Sequence, residues 1–183
     1  MFLFSSMTIS ACTSDSESAC TCDFPDQSFG VLVGVNSFFD LHDGVECAQI
    51  CERPIFLELT GYASQSTRKM EEDFLADKKI TRKLNKDFIP VTLYVDDKTA
   101  LPIEEQIEVG SFGNTKFIKT IGQKNSHFQT TSFQTNVTPF FVILSSSGEA
   151  EIERFGYLPN VNKVDSILNN ALIKYESWQS KKQ

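Results

Sequence analysis

The sequence has little positive charge and no long apolar run. It carries 17 Lys and Arg against 24 Asp and Glu, a net charge of −7 over 183 residues, and the basic residues form no stripe. A nucleic-acid-binding surface would require such a stripe, so we expect no nucleic-acid partner. No segment after the N-terminus approaches the roughly 18 apolar residues that a membrane-spanning helix needs.

Histidine and cysteine are also scarce, which limits the chemistry available to the chain. His42 and His127 are the two histidines, and nothing in the sequence places either beside a serine, as a catalytic base must be. After Cys12 the cysteines are spaced C-x-C and C-x-x-x-C, unlike common structural zinc sites. Zinc held by four thiols and His42 is the alternative, but we expect no metal and no cofactor.

The remaining composition is that of one packed domain, with 40% hydrophobic residues and 16 phenylalanines. Apolar runs predict strands over 54–60, 88–95, 140–144 and 151–155, and helical patterns cover 43–51, 64–75, 124–135 and 161–178. The second helix either ends at 75 or continues as far as 85. Residues 30–35 form either a strand or part of the tether. Glycines punctuate a hairpin over 107–121. The order β-α-β, insertion, α-β-β-α predicts an α/β fold with a mixed sheet.

Five segments in a fixed order identify a family resemblance. The turn after the first strand reads Thr-Gly-Tyr-Ala-Ser-Gln-Ser-Thr-Arg-Lys-Met over 60–70, and the others are 88–99, 101–106, 137–144 and 156–159. Together they resemble thioredoxin-fold domains, most closely the C-terminal domain of DsbD-type thiol:disulfide interchange proteins. From about Phe39 to the last helix, the resemblance implies a thioredoxin-like fold: a central mixed sheet flanked by helices, with a hairpin and helix inserted before the strand that follows a cis-proline.

The resemblance also locates a degenerate redox site. In that family two cysteines spaced C-x-x-C follow the Thr-Gly-aromatic turn, but here the turn continues Ser64, Gln65, Ser66 and Thr67. A hydroxyl cannot supply the low-pKa thiolate that attacks a disulfide, and Ser and Thr cannot form a disulfide with each other. The chain is therefore expected to keep the scaffold of an oxidoreductase without its catalytic residues.

The same resemblance implies a groove beside this turn. Thr138–Pro139 is expected to be a cis peptide that faces residues 62–67. Its backbone would be able to pair with an extended polypeptide through β-type hydrogen bonds. Ser64 or Ser66 is expected to act as the N-cap of the following helix rather than as a nucleophile.

The N-terminus has a composition of its own. Residues 1–4 are apolar and Ile9-Ser10-Ala11-Cys12 resembles a bacterial lipobox. We expect residues 1–11 to be a lipoprotein signal segment, Cys12 to be lipidated, 12–28 to be a flexible tether and 29–183 to be the thioredoxin-like domain. An ordinary apolar start, or a signal cleaved without lipidation, is the alternative. The expected location is the bacterial cell envelope, facing the periplasm or exposed at the surface.

Lipidation of Cys12 would leave four cysteines with three ways of pairing: Cys20, Cys22, Cys47 and Cys51. A bond within the C-x-C pair closes a small strained ring, and the C-x-x-x-C pair, one helical turn apart, has poorly aimed Cβ atoms. We therefore expect bonds between the tether and the first helix. A redox role for the second pair is the alternative, although about seven residues, roughly 20 Å at strand rise, separate it from the turn.

These observations leave three hypotheses for function. The first is an exported, lipid-anchored thioredoxin-fold protein that binds a protein or peptide as an adaptor in the envelope. The second is a thiol:disulfide oxidoreductase that uses Cys47 and Cys51. The third is a structural envelope component whose groove is vestigial.

Overall fold

A computed structural model describes residue 20 and residues 22–25, 34–75, 77–111 and 114–182. The expected signal segment, Cys12 and most of the tether lie outside these residues. In chain order the elements are α1 (Leu41–Cys51), β1 (Ile55–Thr60), α2 (Gln65–Met70), a π-helical turn (Glu71–Leu75), α3 (Lys78–Asp87), β2 (Ile89–Tyr94), a 3-10 turn (Ile103–Glu105), β3 (Ile107–Ser111), β4 (Asn114–Ile118), α4 (Ile121–Phe133), β5 (Phe140–Leu144), β6 (Glu151–Phe155) and α5 (Val161–Gln179).

A mixed four-stranded sheet in the order β2-β1-β5-β6 forms the centre of the domain. β1 and β2 are parallel, with Ile55 opposite Ile89 and Thr60 opposite Tyr94. β5 is antiparallel to both β1 and β6. Every residue of β1, β2 and β5 is buried, as expected for strands that have helices on both faces. The predicted mixed sheet and its α/β class are confirmed.

Each face of the sheet has its own apolar core. Successive residues of a strand point to opposite faces, so Phe56 and Leu57 belong to different cores. Phe56 packs with residues of α3, α5 and the neighbouring strands: Ile80, Leu84, Phe141, Ile143, Val164 and Leu168. Leu57 packs with residues that include parts of α1 and the end of α4: Cys47, Ala48, Val91, Phe133 and Val142. Because both cores pack against β1, every residue of this strand is buried.

The second predicted helix differs most from the structure. Instead of one helix that starts at Ser64 and extends as far as 85, the chain forms α2, a π-helical turn and a separate α3. Asp77 begins the new helix, because its carboxylate accepts hydrogen bonds from the backbone N–H groups of Lys79 (2.8 Å) and Ile80 (3.4 Å). Helical structure over 65–75 is close to the predicted 64–75, and the alternative of a continuous helix to 85 is wrong.

Capping also explains why two other helices begin earlier than predicted. Asp40 accepts from the N–H of His42 at 2.7 Å, so α1 starts at Leu41 rather than at 43. Thr120 accepts from the N–H of Gln123 at 3.2 Å, so α4 starts at Ile121 rather than at 124. Of the run 30–35, the structure describes Gly34 and Val35, and neither belongs to a strand.

The predicted insertion is a hairpin followed by a helix. β3 and β4 pair antiparallel as a separate two-stranded sheet. The first turn of α4 then returns to the end of β2, where the N–H of Gly122 donates to the carbonyl oxygen of Asp97 at 3.0 Å. A Cβ atom at position 122 would lie only 2.6 Å from that oxygen. Glycine thus permits the close approach that ties the insertion to the central sheet.

Candidate functional site

The turn after β1 is held by a chain of hydroxyl groups. Thr60 donates through Oγ1 to Oγ1 of Thr67 (2.9 Å), and Thr67 Oγ1 donates to Oγ of Ser64 (2.7 Å). Ser64 Oγ lies 3.2 Å from Ser66 Oγ, and Ser66 donates to the carbonyl oxygen of Thr138 at 3.2 Å. Because each hydroxyl has one proton, the bond from Ser66 to Thr138 leaves Ser64 as the donor in the Ser64–Ser66 contact. The chain runs from the buried strand to the loop before β5.

Ser64 is also the N-cap of α2. Its Oγ accepts a hydrogen bond from the backbone N–H of Thr67 at 3.2 Å. Ser64 rather than Ser66 therefore fills the expected cap position, and Gln65 is the first, exposed residue of the helix. With two bonds accepted and one donated, the hydroxyl of Ser64 has its full set of partners.

Neither histidine supplies a base to Ser64. Among the described residues, the hydrogen-bond partners of Ser64 Oγ are the N–H and Oγ1 of Thr67 and Oγ of Ser66. His42 lies exposed on α1, 3.3 Å from the carboxylate of Glu46, and His127 lies on α4. The arrangement lacks the nucleophile and base pair of a hydrolase.

The turn faces the loop that precedes β5, as the resemblance implied. The Thr138–Pro139 peptide is cis, and the bond from Ser66 joins the two sides of the groove. Apolar side chains remain exposed along its edges: Tyr62 is 46% exposed, Val137 57% and Tyr157 38%. A Cβ atom added at Gly156, next to Tyr157, would lie 3.8 Å from the carbonyl oxygen of Pro139. This places Tyr157 close to the loop of the cis peptide. The groove thus combines backbone polar groups with an apolar rim.

Asp96, at the end of β2, fixes the tip of the turn. Its carboxylate accepts from the backbone N–H groups of Tyr62 (2.9 Å) and Ala63 (3.2 Å). The ring of Tyr62 stacks on that of Tyr94, with centroids 3.9 Å apart and planes 5° apart. No role for Asp96 follows from the resemblance, although a carboxylate that follows a buried strand is a sequence signal for such a contact.

Glu58 is a second residue that sequence reasoning missed. It lies in the middle of β1 and is 1% exposed. Its Oε2 accepts from Oγ1 of Thr92 at 3.4 Å, and Thr92 in turn contacts Oγ of Ser37 at 2.9 Å. Its Oε1 has no hydrogen-bond partner among the described residues. A lone acid in an otherwise apolar strand was the available signal.

Burial makes Glu58 a weak acid. Loss of solvent raises its pKa to about 8, with a further rise from the charge of Glu71 and an opposing effect of the bond from Thr92. Burial likewise raises the pKa of Glu71, in the π-helical turn, and of Tyr94, in β2. Glu58 therefore carries a proton at neutral pH, two residues before Thr60 on the same face of β1.

The cysteines lie at the other end of β1. Disulfides join Cys20 to Cys51 and Cys22 to Cys47, so the N-terminal segment is bonded to α1 and the two cysteines of α1 are not bonded to each other. The sulfurs of Cys20, Cys22 and Cys51 lie within 4.8 Å of one another, and His42 is not part of this group. The zinc alternative needs thiolates where the structure has disulfides.

Among the helices of the described ranges, none is both long enough and apolar enough to cross a bilayer.

Comparisons with solved structures agree with the central mixed sheet and its flanking helices. A thioredoxin from Thermus thermophilus superposes with a TM-score of 0.54 at 19% identity, over 76% of this chain and 88% of that one. The structure named DsbH oxidoreductase superposes with a TM-score of 0.53 at 17% identity, over 80% and 95%. The chain has a thioredoxin-like fold. No family model and no curated protein matches its sequence.

The raised pKa of Glu58 predicts a stability that depends on pH. Between its ordinary pKa of 4.5 and about 8, the folded protein holds a proton that the unfolded chain has released. The free energy of unfolding should therefore fall as pH rises through this window, by roughly 1 kcal/mol per pH unit from this group. Glu58→Gln, which mimics the protonated form, should flatten that slope in denaturant titrations.

Glu72→Gln is the matched control, because Glu72 is an exposed acid of the π-helical turn. It should leave the slope between about pH 5 and 8 close to that of the wild type. A Glu58→Gln variant with the wild-type slope would show that Glu58 is ionised in the folded protein.

Proposed function

We propose that this protein is an exported, lipid-anchored, DsbD-related member of the thioredoxin fold whose groove binds an extended protein or peptide segment. It would act as an adaptor in the bacterial cell envelope and would not reduce disulfides at the groove. The observation that carries the proposal is the hydroxyl chain, because it lies where the resemblance to DsbD-type domains implies the two cysteines of that family.

The hydroxyl chain supports a groove without redox chemistry. Thr67 is 2% exposed, and its Oγ1 is bonded to both Thr60 and Ser64. Ser64 donates into the same chain and caps α2. Neither side chain offers a thiolate, and among the described residues neither has a neighbouring base that could activate its hydroxyl to attack a carbonyl group.

The groove itself supports the binding of an extended chain. Its rim carries the exposed apolar side chains of Tyr62, Val137 and Tyr157. Its floor carries backbone groups beside the cis peptide, and the carbonyl oxygen of Thr138 has a second lone pair beyond the bond from Ser66. Backbone pairing would provide affinity, and the apolar rim would select the side chains of the partner.

The cysteines support an oxidising location. Four of them form two disulfides, which persist outside the cytoplasm and are rare inside it. The lipobox-like sequence before Cys12 supplies the membrane attachment in this proposal, with residues 12–28 as the tether.

The binding role can be tested with short random peptides displayed on phage. Peptides selected on the protein should shift backbone NMR signals of residues 62–67 and 137–139. Val137→Asp places a charge on the apolar rim and should weaken binding about tenfold, the equivalent of one lost apolar contact. Ile103→Asp, at a residue 86% exposed near the hairpin, is the control and should bind like the wild type.

Equal weakening by both substitutions, or signal shifts confined to other surfaces, would contradict binding in the groove.

The absence of redox chemistry gives a separate prediction. Insulin reduction by the wild type should stay at background, because positions 64 and 67 carry hydroxyls. Ser64→Cys together with Thr67→Cys should create measurable turnover, since the helix N-terminus and the facing loop are in place. Ser64→Cys alone lacks the resolving cysteine and should give mixed disulfides without turnover. Robust wild-type turnover would be evidence against the proposal.

The anchor is tested by Cys12→Ser. Acyl chains attached at Cys12 would bury many CH₂ groups, each worth about 0.8 kcal/mol, so lipidation should hold the protein in the membrane fraction. The variant should move to the soluble fraction and lose metabolic labelling by palmitate. A variant that fractionates and labels like the wild type would rule out the lipid anchor without bearing on the groove.

A further inference from the structure

The two disulfides lie in direct contact with each other. Sγ of Cys22 and Sγ of Cys51 are 3.4 Å apart, although Cys22 is bonded to Cys47 and Cys51 to Cys20. Both contacting sulfurs belong to partly buried residues. A bond between them would require little movement of the chain.

This contact has a chemical consequence. Disulfides rearrange when a thiolate attacks a disulfide sulfur and displaces the partner sulfur as a new thiolate. A thiolate released at Cys51 would already lie against Sγ of Cys22. Its attack would form a Cys22–Cys51 bond and displace Cys47.

Burial and charge favour opening of the Cys20–Cys51 bond first. Cys20 is partly exposed, and the guanidinium of Arg53 donates to its carbonyl oxygen at 3.4 Å, which places a cation at this end of α1. In the other bond Cys47 is only 5% exposed. The cleft beside that bond is lined by three acids, Asp23, Asp43 and Glu46. An incoming thiolate is an anion, so it is attracted to the first bond and repelled from the second.

We propose that Cys20 is a site of S-thiolation by a thiol of low molecular mass, with Cys51, Cys22 and Cys47 forming the relay that completes the reaction. The incoming thiol loses its proton and its sulfur bonds to Cys20, which breaks the Cys20–Cys51 bond. The Cys51 thiolate bonds to Cys22, which breaks the Cys22–Cys47 bond, and Cys47 takes up the proton.

The reaction conserves disulfides and needs no oxidant. Two intramolecular bonds become one intramolecular bond and one mixed disulfide, and the thiol of the reagent is replaced by the thiol of Cys47. Cys47 lies in the apolar core with Phe38 and Ala48, where burial favours the neutral thiol over the thiolate. Protonation of the Cys47 thiolate shifts the equilibrium of the exchange toward its products. The Cys22–Cys51 bond keeps the N-terminal segment attached throughout.

This site is independent of the groove, because β1 separates the two. Its test uses reduced glutathione on the fully oxidised protein, followed by acid quenching, denaturation, maleimide labelling at low pH and peptide mapping by mass spectrometry. The expected product carries glutathione on Cys20, a Cys22–Cys51 cross-link and maleimide on Cys47. Maleimide on Cys51 with Cys22–Cys47 intact, glutathione on another cysteine, or no reaction would each overturn the proposal.

Two single variants test the relay without any added thiol. Cys20→Ser leaves Cys51 as a thiol beside the Cys22–Cys47 bond, and most of the maleimide should then appear on Cys47. Cys51→Ser leaves Cys20, whose exchange with Cys22 would close the small strained C-x-C ring, so the label should stay on Cys20. Label that remains on Cys51 in Cys20→Ser would show that the sulfur contact does not support exchange.

Discussion

A line of hydroxyl groups joins the buried centre of the sheet to the loop that carries the cis peptide. It starts at Thr60 in β1, passes through Thr67 and Ser64, and ends through Ser66 at the carbonyl oxygen of Thr138. Consecutive donors in such a chain polarise and strengthen one another, particularly where water is excluded. The hydroxyl chain caps the start of α2 and, together with the bonds from Asp96, ties the turn to β1 and to the loop before β5. The same bonds engage the hydroxyls of Ser64, Ser66 and Thr67.

β1 separates two kinds of chemistry. Its carboxyl end leads into the turn and the groove, where hydroxyls have replaced thiol chemistry in our account. Its amino end follows α1 and the four cysteines, where the sulfur chemistry of the described chain is concentrated. The strand between them is buried throughout and carries one acid, Glu58, which burial keeps protonated. In our proposal, the turn lacks redox chemistry and the reactive sulfurs lie at the opposite end of β1.

The strands could be predicted from the sequence because each is a short apolar run between turn residues, as Phe140–Leu144 and its antiparallel partner show. The break before α3 could not be placed from the sequence, because 64–85 contains several acids that could cap a helix and only the bonds of Asp77 to two N–H groups reveal which one does. The environment of Glu58 depends on the register that places it opposite Thr92, which no local pattern encodes. The contact between Cys22 and Cys51 likewise arises only when the N-terminal segment meets α1.

The central claim, that the side chains at positions 64 and 67 are structural partners of each other, is tested most directly by a double-mutant cycle. Ser64→Ala, Thr67→Val and the double variant would be unfolded in denaturant beside the wild type. We expect a coupling free energy of about 1 kcal/mol between the two hydroxyls, because removal of either one breaks the direct bond from Thr67 to Ser64. Effects that add to within about 0.3 kcal/mol would contradict it.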